Sequence, residues 1–400
     1  MPFRSPLCGN REIWLLIASP RHLLHHFRFY WGSNHMRRIF LFLLLLVLMT
    51  ARVSATDGLA VDAEGMGLDT EVLEEGLNEE AAEALADISP EGDIDFWGKV
   101  KDLFFSALSK VDGSFHDGLK LCAVLIAIVT LCAVVQMIGS GKLQTAVLAV
   151  GALGISAAVL GTFSSMLRLA ESTVQELTDY CGFLLPVLAS TAALSGSMTA
   201  STALYAGTVF FSQLLMRLIC KVLLPCVYFY LAVATAEAAL SESALTELRE
   251  LIGWLISKSL RILLFVFLAY MTATGVISGS ADASALKATK AAVSGMVPVV
   301  GGMLSDASET ILAGAAILKN SVGVFGMLAV LATCLLRFLK VGVHYLLLKL
   351  TSAVCGSVGC KEHTGLLKNC STAMGYLLAM CGTCSLLLLI SGVCFMKVAV

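Results

Sequence analysis

Charges are absent from long stretches of this chain and crowded into a few short ones. Residues 121–138 are an eighteen-residue run without a charged side chain, and 143–163 form a second run rich in glycine and alanine. About 20 apolar residues cross a hydrocarbon core about 30 Å thick, so both runs predict membrane-spanning helices, with a tight connection at 139–142. Gly151, Gly154, Ala157 and Gly161 would let a neighbouring helix approach the second closely. The pattern then changes. Met166, Leu167, Ala170, Val174 and Leu177 recur at steps of three and four, while Arg168, Glu171, Gln175, Glu176 and Asp179 take the other face. That periodicity predicts an amphipathic helix and not a span. Residues 181–194 hold Pro186 and are short for a crossing, which predicts a re-entrant or broken element.

Residues 204–237 pose the opposite problem. As one helix they would reach about 50 Å at ~1.5 Å per residue, well beyond the hydrocarbon core. Arg217 and Lys221 sit one turn apart in the middle, with Pro225 beyond, so two elements meeting near these charges are expected. The two cations fit either a headgroup boundary or a polar cavity or subunit contact. Residues 242–251 read as a polar connection. Lys258 and Arg261 then introduce a span at 262–278 and are expected to snorkel at its end, because a charge at the bilayer centre costs roughly 2.5–3.5 kcal/mol.

The chain is organised around residues 287–323, KATKAAVSGMVPVVGGMLSDASETILAGAAILKNSVG. Gly295, Pro298, Gly301 and Gly302 interrupt the apolar pattern, and Pro298 should break or kink a helix. Asp306, with Glu309 three residues on, predicts the start of the next helix, which meets Lys319 and Asn320 partway along. Apolar residues continue over 322–336. Arg337, Lys340, Lys349, Lys361 and Lys368 follow, opposed only by Glu362, and the positive-inside rule makes this region the best cytoplasmic face. Residues 376–396 give the final span. The fold class is therefore all-α, a polytopic helical membrane protein of six to eight spans over 119–400, with short amphipathic or re-entrant helices.

Composition agrees. The chain is 58% hydrophobic and 14% charged, against about 25% charged for soluble domains, and its mean hydropathy is +0.85. The carboxylates are not evenly spread: fourteen of 29 lie in residues 57–95, which contain no Lys or Arg. This acidic segment reads as a solvated linker or as a docking element for a basic partner. Residues 96–115 mix Trp, Phe and Lys in a way that suits a helix at the membrane surface; together 56–118 form an acidic extracytoplasmic segment with an amphipathic helix. Upstream, Met36-Arg37-Arg38, an apolar core and a small-residue ending at Ala55 read as a secretory signal peptide, 36–55, cleaved after Ala55. Residues 1–35 are rich in His and Arg and read as translated upstream sequence, with Met36 as the expected start.

The chemistry searched for is missing from the sequence. There is no Walker A, HExxH, GxSxG or dinucleotide-binding glycine pattern. Most of the thirteen cysteines lie in apolar runs, and Cys381–Cys384 is a lone CxxC inside one. No enzyme activity, cofactor or metal site is expected, and no basic patch interleaved with aromatics points to nucleic acid.

PVVGGMLSDASETI and LKNSVG in the organising stretch, with FLLPVL at 183–188 and KVLLP at 221–225, resemble the stage III sporulation protein AE family of endospore-forming bacteria, in order over about residues 36–400. The resemblance implies a structural component of the mother-cell membrane around the forespore. It would work with the other stage III sporulation A proteins and, across the intermembrane space, indirectly with the forespore stage II sporulation protein Q. That channel complex would support late forespore gene expression; feeding small molecules through is one way to do so. The assembly or gating candidates are Gly295, Pro298, Gly301, Gly302, Asp306, Glu309, Lys319, Asn320, Arg217 and Lys221, and membrane lipids are the remaining partner. The alternative is a secondary transporter acting alone, which transport by purified protein in liposomes would reveal.

Overall fold

The computed structural model describes residues 71–88, 95–138, 142–194, 198–240, 243–296, 301–357 and 361–397, without the side chains at 71, 142, 243, 272, 275–319 and 397. All belong to one compact unit, Ala55–Val400. The expected upstream extension, the signal peptide, the 139–141 connection and Pro298 lie outside the described residues.

Every described element is helical. Two short helices, α1 (Glu71–Glu75) and α2 (Glu79–Leu85), precede α3 (Phe96–Ser109) and α4 (Asp112–Ile138). Then come α5 (Lys142–Leu194), α6 (Met198–Leu218), a π-helical turn (Ile219–Leu223), α7 (Leu224–Leu240), α8 (Ser243–Met296), α9 (Gly301–Gly356) and α10 (Lys361–Lys397). Among the described residues six helical stretches are long and apolar enough to cross a membrane: Asp112–Ile138, Leu143–Leu194, Met198–Leu240, Ala244–Met271, Asn320–Gly356 and Lys361–Met396.

Several boundaries differ from those the sequence pattern predicts. Residues 143–163, the amphipathic 166–179 and the expected re-entrant 181–194 are one continuous helix of 53 residues, about 80 Å long at ~1.5 Å per residue. Pro186 sits inside it and gives the Gly182 carbonyl no amide proton; Ser190 Oγ donates to the Pro186 carbonyl at 2.8 Å, the back-bond that hydroxyls make one turn upstream. The amphipathic pattern survives: Leu167, Ala170, Val174 and Leu177 are buried while Arg168, Glu171 and Asp179 are exposed. Residues 243–251 are helical and not a connection. Lys258 and Arg261 therefore lie mid-helix, within the span stretch Ala244–Met271. The expected break near Arg217 and Lys221 is a π turn. Pro225 gives the Lys221 carbonyl no amide proton, and just upstream the ladder lengthens its step, with Leu224 N–H reaching Ile219 O. Helix α9 begins at Gly301, so Asp306 lies a turn inside it and does not start it.

The last helix is the innermost. In α10, 83% of the apolar window is buried, against 28–39% in the stretches built from α4, α5, α6–α7 and α8. It packs on α5, α6, α7, α8 and α9. Glycines set the closest approaches: a Cβ on Gly207 would stand 2.0 Å from the Tyr270 ring, and one on Gly326 2.3 Å from Leu184. Helix α3 packs along the bundle. Its Ala107 packs on Leu336, and Gly118 in α4 meets Leu347, so α3 and α4 run alongside α9 in the same direction.

Candidate functional site

Side-chain pairings fix the register of the bundle and bring charges on five helices to one level. Glu176 of α5 pairs with Arg337 of α9. Antiparallel contacts between Cys181 and Ser212 (3.6 Å) and between Phe163 and Tyr228 (ring centroids 6.3 Å) place Lys221 opposite Arg168 and Glu171. Phe211 and Phe267 (5.4 Å), with Tyr270 against Gly207, set Lys258 and Arg261 level with Lys221 and Arg217. The central α10 passes this level uncharged, with Cys381 Sγ near the Ala170 carbonyl (3.9 Å) and Gly382 beside Phe338. The result is a charged belt around an apolar axis, at mid-height of the long helices. Charges in apolar helices are tolerated where they reach water, a headgroup or a partner.

The described part of the acidic segment, 71–88, closes onto this belt. Asn78 caps α2, its Oδ1 accepting from Ala81 N–H at 2.9 Å, and its Nδ2 donates to Glu176 at 2.6 Å. Arg337, 12% exposed, hydrogen-bonds to Glu176 through one guanidinium nitrogen. Its Nε lies 3.6 Å from Glu80, an ion pair too long for a hydrogen bond. Lys110 of α3 pairs with Glu83 at 2.9 Å. A second polar knot ties α7 to α8: Arg249 and Thr246 both donate to Glu237, at 2.7 and 2.8 Å. Tyr230 packs edge-on against Tyr376 nearby.

These contacts bear on the cations that follow the apolar run 322–336. Arg337 shares its position with Glu80 of the acidic segment, whereas Lys361 lies beyond the far end of α9. From Arg337 to Gly356 is about 30 Å at ~1.5 Å per residue, the thickness of a hydrocarbon core. The cations from Arg337 to Lys368 are therefore spread along about 30 Å of α9 and the start of α10 and do not gather at one level.

Of the ten assembly or gating candidates, Arg217 and Lys221 are exposed on the belt, Lys221 inside the π turn. Asn320 is half-buried in α9. Gly295 lies in the last turn of α8, and Gly301 and Gly302 open α9. Asp306, Glu309 and Lys319 follow in α9, with side chains outside the described residues, and Pro298 is outside altogether. Arg337, Glu176, Glu80 and Asn78 escaped the sequence reading as a site; the usable signal was the arginine closing the apolar run 322–336.

Beside the belt, α5 and α7 enclose an open groove of about 570 Å³. Arg168, Glu171 and Cys220 stand at its charged end, and Leu224, Pro225, Tyr228, Phe229 and Ala232 extend from there along α7. Among the described residues no group of three or more His, Cys, Asp or Glu could hold a metal ion. The arrangement suits binding at a polar–apolar boundary.

Residues 83–399 match the family described as Stage III sporulation protein AE. The chain belongs to that family. A curated relative, Stage III sporulation protein AE of Bacillus subtilis (strain 168), is 23% identical over 252 residues, covering 61% of this chain. The chain spans about 63% of that relative's length. No solved structure matches. The stage III sporulation protein AE family is a family of sporulation proteins and not a known enzyme family. The match takes in the belt, the groove and α9 from its first residue, so the sequence reading on 287–323 fell within it.

Proposed function

We propose that this chain is a structural membrane component of the stage III sporulation A channel complex, in the mother-cell membrane around the forespore, and that it is needed for late forespore gene expression. The observation that carries this is the family match over 83–399. Its likeness to a stage III sporulation protein supports the biological stage, and six long apolar helices support a membrane body. In this reading the signal peptide at 36–55 exports the acidic segment, so residues 57–95, and the belt on which Asn78 and Glu80 dock, face the intermembrane space. The other stage III sporulation A proteins are its direct partners there, and stage II sporulation protein Q an indirect one. The glycine-rich stretch around Pro298 serves assembly or gating.

The test is deletion in a spore-former followed by complementation, reading a late forespore reporter and co-purification of the other stage III sporulation A proteins. Loss of both, restored together, is the expected result. A normal reporter in the deletion, or solute transport by the purified chain alone in liposomes, would overturn it.

A further inference from the structure

We infer that the groove beside the π turn is a binding site for a phospholipid whose headgroup carries both a phosphate and a primary amine. The groove has two chemically distinct ends. At the belt, Arg168 and Glu171 stand one turn apart on α5 and are exposed. Neither is within ion-pairing distance of the other or of any described charge. A guanidinium and a carboxylate held side by side but unpaired complement a phosphate and an ammonium. From that end the floor runs along α7 over Leu224, Tyr228 and Ala232, with Phe229 54% exposed beside it. Residues 224 to 232 span about 12 Å at ~1.5 Å per residue, room for the upper part of an acyl chain. The volume, about 570 Å³, lies within the usual range of about 300–1,000 Å³ for ligand sites.

Two features favour a lipid over a soluble ligand. The apolar end opens on the outside of a membrane-spanning stretch, where Leu160, Tyr228 and Phe229 are all exposed. The charged end coincides with the belt, the level at which headgroups and aromatic side chains meet in membrane proteins. The π turn contributes by placing an extra residue in the wall, with Cys220 turned to the groove. This site does not depend on the channel reading.

The experiment reconstitutes the full chain in vesicles of phosphatidylglycerol and phosphatidylethanolamine. Either lipid is traced by a photoactivatable acyl-chain analogue, and adducts are mapped by mass spectrometry. With the ethanolamine probe, adducts should concentrate on 224–232. Ala232→Trp, which fills the groove from an exposed position, and Arg168→Gln should each lower them about tenfold, as expected for losing a charge-assisted contact or its space. Glu171→Gln should erase the preference for the ethanolamine over the glycerol probe. Phe265→Ala, on another exposed face, should change nothing and shows that handling is not the cause. Adducts spread evenly over exposed residues such as Leu153 and Phe265, and unmoved by Ala232→Trp, would overturn the site. So would a Cys220–Cys220 cross-link between two copies under mild oxidation, which would give the groove to a second copy of this chain.

Discussion

Arg337 holds three parts of the chain together through one guanidinium. It meets Glu176 on α5 and Glu80 on α2, while Asn78 bridges α2 to Glu176 from the other side. Removing a largely buried charge strands its partner, which costs more than the pair itself contributes. Arg337→Ala should therefore destabilise the chain by about 2–3 kcal/mol, the scale of losing a charged hydrogen bond. Glu80→Gln, at a long and partly exposed contact, should cost less than about 1 kcal/mol. Thermal unfolding in detergent, with limited proteolysis of residues 71–111, measures both, and equal effects would refute the assignment. Sequence could not show this cluster. Its members lie 98 and 161 residues apart in sequence, and periodicity reports only which face of a helix is polar. For the glycine stretch we expect Gly301→Leu to abolish the late forespore reporter while leaving protein level near normal. Asp306→Asn should be milder, since a residue inside a helix keeps its backbone bonds whichever side chain it carries. The reporter with immunoblots of both variants decides, and the reverse order would point to a role for the Asp306 charge.

Helix identity was legible and helix length was not. The steps of three and four over 166–179 correctly gave the buried face of α5, because that face packs on α9 and α10. What periodicity cannot show is whether an apolar run joins an amphipathic one in a single helix. At Pro186 a bonded hydroxyl accompanies the continuation, and at Pro225 a π turn does. The π turn offers a sharp test. Deleting Val222 should restore an ordinary step and leave the helix beyond in register, because the turn absorbs one extra residue. Deleting Val227, beyond the turn, should instead rotate everything after it by about 100°, turning Tyr230 away from Tyr376 and Glu237 away from Arg249. The expected loss for the second deletion is at least about 3 kcal/mol, read as a lower unfolding temperature, and for the first well below it. Substituting Val222→Ala, which keeps the count, should be nearly silent because Val222 is exposed.

Across the described residues, the belt and the far end of α9 and α10 stand about 30 Å apart, a slab about as thick as a bilayer's apolar core. An apolar run inside each of the six stretches could be picked out of the sequence, but not the stretches' bounds or the alignment of their charges, which depends on pairings such as Phe211 with Phe267 that no single helix encodes. Single cysteines at Glu75 and Lys340, in a background without native cysteines, should react with an impermeant reagent from the same side. One at Glu362 should react from the other. Lys340 and Glu362 labelling together would remove the slab. In the proposed orientation the first two label in intact protoplasts of vegetative cells made to express the chain, where its extracytoplasmic side faces the medium.

The burial of α10 has a consequence in time. The helix at the centre of the bundle leaves the ribosome after all five helices it packs on. At about 5–20 residues per second, its 37 residues need several seconds after α9 has emerged. Through that interval α5, α6, α7 and α8 already occupy the membrane with their inner faces bare, and their partner is still in the tunnel. The nascent protein must wait open, shielded by the insertion machinery, and then admit its own axis.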